Sequence, residues 1–331
     1  MISRVAESCF WLQRYVERMD NTARLANVNR AFVLDVDLSA VQQWWPVVVV
    51  VGEQDRIKEH LSEEQLQEGD AIQQYLTWNE HNPVSIASSA QWARENARTI
   101  REVISLEMWE TINAFWHWLR GGPGRRLYRE DAFAFYSRVK EHAAMFQGTC
   151  YNTMMHDDPF VFMQLGMVLE RAGWTARILD VKHHMISGDL VSPLGAAQLM
   201  ALLRSCAATE PFFKTAHEAP TPRRVVGFLL LSRKFPRSVI HCMLRARDLL
   251  AQLRPATGAT GERSWMMLTA LLDDLERMSV EDVFERGLHD ELTRLIDSIA
   301  RTSAAIHEDY FDPSPEVLEL AIRQREAESA R

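Results

Sequence analysis

The chain has 331 residues, 47% of them hydrophobic and 25% charged, which supports a large core in one or two globular domains and excludes a disordered or fibrous protein. The net charge of −8 comes from intermixed acidic and basic residues, so we expect no nucleic-acid partner. The longest aliphatic run, residues 47–51, is far shorter than the roughly 20 residues that cross a bilayer, and we expect neither a signal peptide nor a membrane partner. The four cysteines lack the spacing of zinc or disulfide sites, which is typical of a cytoplasmic protein.

The predicted elements of the first part of the chain are helices. Apolar residues recur at intervals of three and four, first in residues 12–25 and again in a charged segment at residues 93–113. Between them, WWPVVVVVG at residues 44–52 suits either a buried strand or a buried helix that has Pro46 in its first turn and stops at Gly52. We favour the helix. Residues 121–124 are predicted to form a loop.

The second part continues in the same way, so the predicted fold class is all-α. Residues 156–159, HDDP, are expected to end one helix and cap the next. Residues 165–178 and 198–203 carry helical patterns, and residues 255–261 are a predicted loop. The charged segment at residues 313–331 is expected to form an exposed helix or to fray.

The sequence repeats itself at an offset of 153 residues. LQRYVERMDNTARL at residues 12–25 matches LGMVLERAGWTARI at residues 165–178, and residues 75–86 match residues 228–239 at the same offset. A third echo pairs the Asp-Pro of residues 158–159 with that of residues 312–313, slipped by one position. These matches predict an internally duplicated helical bundle. Its two pseudo-symmetric halves are expected at residues 1–155 and 156–313, packed as one composite domain, with a tail at residues 314–331.

The repeated helices carry a Glu-Arg pair in unusually apolar surroundings. In the second copy, apolar residues lie beside Glu170 as well as opposite it, so we expect this helix to be buried on both faces and its charges with it. Glu17 and Arg24 share a helix face but lie about two turns apart, too far for an intrahelical pair. An unpaired buried carboxylate is costly. We therefore expect each glutamate to meet an arginine of another helix, in a network across a pseudo-twofold axis.

Three roles are open for this network. It can fix the register of the bundle, it can bind a ligand through its charges, or its carboxylates can do acid–base work. On the catalytic interpretation Glu17 and Glu170 are the candidate catalytic residues. From the third charged helix we place Glu95 and Arg98 inward, beside the network. The candidate substrate-binding residues are Arg14, Arg18, Arg24, Glu95, Arg98, Arg171 and Arg177.

Other motifs are weaker. The histidines at residues 183–184 and the acidic run at residues 156–158 lack the H-E-x-x-H or paired E-x-x-H pattern, so we expect no metal site. The glycine-rich residues 120–126 lack the Lys-Ser/Thr end of a P-loop and are more typical of a flexible basic loop. No dinucleotide fingerprint, G-x-S-x-G or cysteine nucleophile motif is present, and we expect no cofactor.

Four segments resemble the signature segments of the alpha-E family of bacterial all-helical proteins: AESCFWLQRYVERMDNTARL, ARENARTIREVISLEMWETIN, LGMVLERAGWTARILDV and FPRSV. The resemblance covers roughly residues 1–313, and its matched motif residues are Glu17, Arg18, Glu170 and Arg171. Members of the family are typically encoded beside, or fused to, circularly permuted ATP-grasp proteins and transglutaminase-like cysteine peptidases. This chain departs from the family at Met167, where an arginine is usual, and at residues 156–158, so the second copy is expected to lack one anion contact.

The resemblance implies a role in a peptide-modifying or amide-bond-forming system. Our leading hypothesis is an accessory or substrate-binding component that works with an ATP-grasp ligase and binds a peptide or amino-acid-like small molecule. One alternative is an amide-bond hydrolase or transferase with Glu17 or Glu170 as general base. The other is a purely structural helical scaffold.

Overall fold

The computed structural model describes residues 3–34, 40–181, 193–216, 219–253 and 261–312. Within these ranges the chain forms sixteen helices and no strand, which confirms the all-α class. The first eight helices are α1 (Ser3–Leu34), α2 (Ala40–Val51), α3 (Ile57–His60), α4 (Gly69–Trp78), α5 (Ile86–Thr99), α6 (Leu106–Arg120), α7 (Pro123–Glu130) and α8 (Ala132–Thr153). The next eight are α9 (Asp158–Val181), α10 (Pro193–Ser205), α11 (Thr209–Ala216), α12 (Pro222–Leu231), α13 (Val239–Leu253), α14 (Glu262–Arg277), α15 (Val280–Glu285) and α16 (Leu288–Ile306). A 3-10 turn, Gln65–Gln67, precedes α4, and a π-helical turn, His307–Phe311, follows α16.

Helices α1 and α9, which carry the two Glu-Arg pairs, lie against each other at the centre of the molecule. α5 and α8 also pack on α1, whereas α13 and α16 pack on α9. Sixteen of the 24 residues of α9 are buried, including Glu170. The prediction that this helix is buried on both faces is therefore confirmed, and Glu170 is buried with it.

The two central helices approach closely because α9 has a glycine at the contact. A Cβ atom on Gly166 would lie 2.1 Å from the backbone oxygen of Phe10 and 3.1 Å from Cγ of Arg14. Only glycine permits this spacing, since real Cβ atoms do not come so near a carbonyl oxygen. The close contact brings the arginines of one helix within reach of the glutamate of the other.

The predicted helix at residues 44–52 is present, but its start was placed too late. α2 begins at Ala40, so Pro46 lies inside the helix rather than in its first turn. Gly52 follows the last residue with a φ of +80°, a conformation that suits glycine and ends the helix. Three of the valines, at positions 47, 48 and 50, are buried. The apolar run therefore packs as one face of a helix.

Two predicted loops have different outcomes. Residues 121 and 122 do separate two helices, with φ at +106° for Gly122, but Pro123 and Gly124 belong to α7, so the loop is shorter than expected. Pro is well suited to this first helical position because it has no N–H to satisfy. Residues 156–159 span the join between α8 and α9, as predicted. The predicted loop at residues 255–261 lies almost wholly outside the described residues, as does the tail at residues 314–331.

Helix bounds recur at the offset that the sequence repeats show. α4 occupies residues 69–78 and α12 residues 222–231, which differ by 153 at both ends. The first residues of α2 and α10, and those of α5 and α13, differ by the same number. These coincidences favour the duplication, which remains an inference, and with it the proposed division near residue 155. Within the described ranges, no helix combines the length and apolar character that a membrane crossing requires.

Candidate functional site: a buried cluster of glutamates and arginines

Glu17, on α1, is completely buried, and each of its two carboxylate oxygens accepts two hydrogen bonds. Arg171 of α9 donates from Nε to Oε1 at 2.9 Å and from Nη2 to Oε2 at 2.7 Å. Arg237 donates from Nη1 to Oε1 at 2.9 Å, and the Gln147 amide donates to Oε2 at 2.9 Å. A bidentate arginine with two further donors is the arrangement that makes a buried carboxylate tolerable.

Glu170, on α9, has a matching environment built from α1. Arg18 donates from Nε to Oε1 at 2.8 Å and from Nη2 to Oε2 at 3.1 Å. Arg14 adds a bond from Nε to Oε2 at 3.0 Å. The guanidinium of Arg14 also lies over the Trp11 ring, and that of Arg18 over the Tyr15 ring, with 4.8 and 5.5 Å to the ring centroids. Cation–π contacts of this kind hold the arginines in place.

Each glutamate is therefore paired with the Glu-Arg arginine of the other copy. Glu17 meets Arg171, and Glu170 meets Arg18, across the contact between α1 and α9. This is the interhelical network that the sequence predicts. We call it the Glu-Arg cluster; its members are Arg14, Glu17, Arg18, Asp20, Arg24, Glu170, Arg171 and Arg237.

Two members of the cluster, Asp20 and Arg237, were missed by sequence reasoning. Arg237 precedes α13 and joins Glu17 to Asp20, whose Oδ2 accepts from its Nη2 at 2.8 Å. Thr175 of α9 donates its hydroxyl to the backbone oxygen of Arg237 at 2.9 Å and so fixes the loop. Met167, at the position where the family usually has an arginine, brings no charge to the site, and Arg237 supplies Glu17 with its second arginine. The expected loss of an anion contact in the second copy stays a prediction.

Both glutamates are held in the ionised form. Burial alone would raise the pKa of Glu17, but Arg171, Arg237 and the hydrogen bonds from Arg171 and Gln147 lower it to about 2. Burial acts on Glu170 in the same way, and Arg18 and Arg14 hold the pKa of that carboxyl well below its usual range. Each carboxylate therefore contributes to stability only while it is charged.

Acid should weaken the fold in a defined range. The pKa of Glu17 is lower in the folded chain than its ordinary value of 4.5, so its contribution is complete above pH 4.5 and disappears as the pH falls toward about 2. The size expected from this shift is about 3 kcal/mol. Urea unfolding of the parent between pH 7 and pH 3 should show the loss, and Glu17→Gln should show a flatter dependence. Equal slopes for the two proteins would contradict this account of Glu17.

The geometry does not suit the predicted catalytic role of these glutamates. A general base needs a lone pair that a substrate can reach and a pKa near the working pH. Glu17 is fully buried and Glu170 is 2% exposed, and arginines occupy both oxygens of each. The catalytic role of the two residues remains an untested prediction that this arrangement does not favour.

The candidate arginines differ in their surroundings. Arg24 donates from Nη2 to both oxygens of Asp20, at 3.0 and 3.2 Å, and thereby joins the cluster. Arg177 lies near Glu170, Arg14 and Arg18, which all act on its charge, but it forms no ion pair among the described residues. Five of the six candidate arginines, those at positions 14, 18, 24, 171 and 177, are thus brought together, and Arg177 among them has no ion-pair partner in the described part of the chain.

The prediction that Glu95 and Arg98 face the network was wrong for Arg98. The Arg98 side chain is 66% exposed and pairs with Glu95 at 2.7 Å on the surface of α5. Glu95 is half-buried and accepts a second bond from Arg94. An i,i+3 ion pair of this kind is a solvated helix pair of small energetic value. In the described part of the chain, these residues make no hydrogen bond to the Glu-Arg cluster.

The remaining candidate motifs do not add a chemical group. All four cysteines are free and buried, and burial raises the pKa of Cys9, Cys150, Cys206 and Cys242 to about 12, which leaves no thiolate to act as a nucleophile. Among the described residues no group of three or more His, Cys, Asp or Glu side chains could hold a metal ion. The histidine pair at residues 183–184 lies outside those residues.

Comparison with known proteins gives a family match and distant relatives. The Alpha-E family model, a predicted alpha-helical domain with a conserved ER motif, matches residues 1–311. Uncharacterized proteins of Mycobacterium bovis and Mycobacterium tuberculosis are 23% identical to the chain over 322 residues, which cover 89% of this chain and 35% of each relative. The chain thus spans about a third of the length of these relatives. No solved structure matches it.

Proposed function

This chain belongs to the Alpha-E family, and from that premise we propose that it is a substrate-binding component of a peptide-modifying system that acts with an ATP-grasp ligase. Its ligand is a peptide or amino-acid-like molecule, and its binding groups are arginines. ATP-dependent activation belongs to the partner ligase, with a transglutaminase-like protein as a further component of the same system.

The main support for the proposal is the excess of positive charge in the buried site. Six arginines, those at positions 14, 18, 24, 171, 177 and 237, lie around three carboxylates, Glu17, Asp20 and Glu170, and all of these arginines except Arg177 form ion pairs with them. The excess of three positive charges suits an anionic group. An amide ligase consumes a carboxylate, so a component that holds the carboxylate of a peptide fits such a system. Both oxygens of each glutamate are hydrogen-bonded to arginines, and the thiols are buried. These two features favour ligand binding over catalysis.

The length of the relatives also supports a role beside other components. In the mycobacterial proteins the matched part is about a third of the polypeptide, so the same unit works there in one chain with further sequence. A unit that is built into longer chains is suited to present a ligand to a neighbouring activity. The identity of that activity as an ATP-grasp ligase is our proposal from the family resemblance.

The test is reconstitution with an ATP-grasp protein of the kind that is typically encoded beside members of the family. We expect the two to elute together from a sizing column, and we expect this chain to raise peptide-dependent ADP release by the ligase at least tenfold in kcat/KM. Arg98→Gln, which changes only a surface ion pair, should leave the effect unchanged and serves as the control. Separate elution together with an unchanged ligase rate would refute the proposal and leave the scaffold interpretation.

A further inference from the structure

Arg177 is a half-buried, positively charged side chain that lacks an ion-pair partner among the described residues. Its Nε is buried without a hydrogen-bond acceptor, and the described residues offer it no ion pair. Trp174, one turn earlier on α9, is 2% exposed, and its indole N–H is also buried without an acceptor. The guanidinium carbon lies 6.0 Å from the centre of the Trp174 ring. Two unsatisfied donors therefore lie close together, a costly arrangement in a folded protein.

The first half of the chain shows what Arg177 is missing. Arg24 lies 153 positions before Arg177, at the matching place in the sequence repeat. Arg24 is paired with Asp20, one turn earlier on α1, through Nη2, although its Nε is unpartnered too. The position that matches Asp20 on α9 is Gly173. α9 therefore keeps the arginine of the pair and has lost its carboxylate.

The Arg177 guanidinium lies over the glycine that replaces the carboxylate. A Cβ atom built on Gly173 would be 3.4 Å from Nη1 of Arg177 and 3.9 Å from the Ile299 side chain of α16. These are ordinary van der Waals contacts, so a Cβ atom fits at this point, and a larger group fits when the flexible Arg177 side chain shifts. On the same side, Arg14 donates from Nη1 to the Ser303 hydroxyl of α16 at 2.8 Å, and that hydroxyl has a hydrogen to donate.

The charges around this space are unbalanced toward positive. Arg14, Arg18 and Arg177 act together near Glu170, whose two oxygens already accept from Arg14 and Arg18. Burial lowers the pKa of Arg177, and the attraction of Glu170 is opposed by the repulsion of the other two arginines. An anion at this point would neutralise the excess and supply acceptors to Arg177 and Trp174.

We propose that the space over Gly173, between α9 and α16, binds the oxyanion of a ligand, which takes the place that the Asp20 carboxylate occupies beside Arg24. Arg177 supplies a planar pair of donors, and the Trp174 indole supplies a third. Carboxylate and phosphate share this chemistry. We assign a peptide carboxylate, an assignment that rests on the proposed function, whereas the oxyanion site itself does not.

The experiment supplies the missing carboxylate from the protein. In Gly173→Asp the new side chain should pair with Arg177 as Asp20 pairs with Arg24 and should block the site, whereas Gly173→Ala adds a Cβ atom without charge. The probes are acetyl-alanyl-alanine, its C-terminal amide and inorganic phosphate, at constant ionic strength. We expect calorimetry to show that the free acid binds the parent and Gly173→Ala with similar affinity. Its affinity for Gly173→Asp should be at least tenfold lower. The C-terminal amide should bind none of the three proteins.

A second measurement needs no change at Gly173. The indole N–H signal of Trp174, assigned in a nitrogen–proton spectrum by its loss in Trp174→Phe, should shift when the free acid is added and remain in place with the amide. Equal affinity of the parent and Gly173→Asp for the bound probe, or no shift with either oxyanion, would overturn the site. Binding of phosphate without binding of the peptide acid would support the site and overturn the peptide assignment.

Discussion

Glu17→Gln should lower the free energy of unfolding by about 3–5 kcal/mol at neutral pH. The substitution removes the counter-charge of Arg171 and Arg237, which are both largely buried. The single oxygen of an amide cannot accept all four of the hydrogen bonds that the carboxylate accepts. Urea unfolding at pH 7 measures the loss. Glu63→Gln, at an exposed position, is the matched control and should change stability by less than about 0.5 kcal/mol.

A double-mutant cycle separates the interhelical pair from other effects of the substitution. Arg171→Met alone leaves Glu17 with Arg237 and Gln147 and should also be destabilising. The double variant should lose less stability than the two single variants together, because the second change removes a charge that the first left unpaired. Simple additivity would show that the contact contributes little. Unchanged or higher stability of Glu17→Gln would mean that the carboxylate is kept at a cost that only function explains.

Arg18→Met should lower stability and Arg177→Met should not, although both remove an arginine beside Glu170. Arg18 supplies two of the hydrogen bonds to Glu170, so its loss leaves a buried carboxylate held by Arg14 alone and should cost about 3 kcal/mol or more. Arg177 supplies none, so its replacement by an apolar side chain of similar length should leave stability unchanged or raise it by about 1 kcal/mol.

The comparison is made by thermal and urea unfolding without added ligand, in a buffer that contains no phosphate or carboxylate. The two variants carry the same substitution on the two central helices, so any general effect of methionine cancels. A loss of about 3 kcal/mol in Arg177→Met would mean that Arg177 is held by contacts that its position beside Gly173 does not show. If Arg18→Met loses stability and Arg177→Met does not, then Arg18 has a structural role that Arg177 lacks.

Much of the fold and the principal pairing could be predicted because they depend on periodicity. The repeat offset superposes Glu17 on Glu170, and in the second copy a helical pattern that is apolar all round places Glu170 inside the bundle, where it must find a partner. Pairing across helices follows from the distance along one helix. The extent of α2 was less predictable, since a proline after the first turn is unfavourable on local grounds and is tolerated only in its packed surroundings.

The partners that do not repeat could not be found in this way. Arg237 lies before α13, and its counterpart at the repeat offset is Val84, so no echo marks it. Its only sequence signal was its place in the FPRSV segment. Arg98 was placed inward because an i,i+3 pair has the same spacing on a buried face as on a solvated one. The buried face of α5 is marked by Ala90, Ala93 and Ala97, which recur at helical spacing, and Arg98 lies off that face.

The pairing across the two copies also sets when the fold can be completed during synthesis. The hydrogen bonds to Glu17 come from residues 130, 154 and 220 positions further along the chain. When α1 leaves the ribosome, none of these donors has been made, and α9 is not yet present to cover its inward face. The N-terminal helix must therefore wait, hydrated or held by chaperones, until Arg237 has emerged. Its carboxylate is among the first groups of the core to be translated and among the last to be buried.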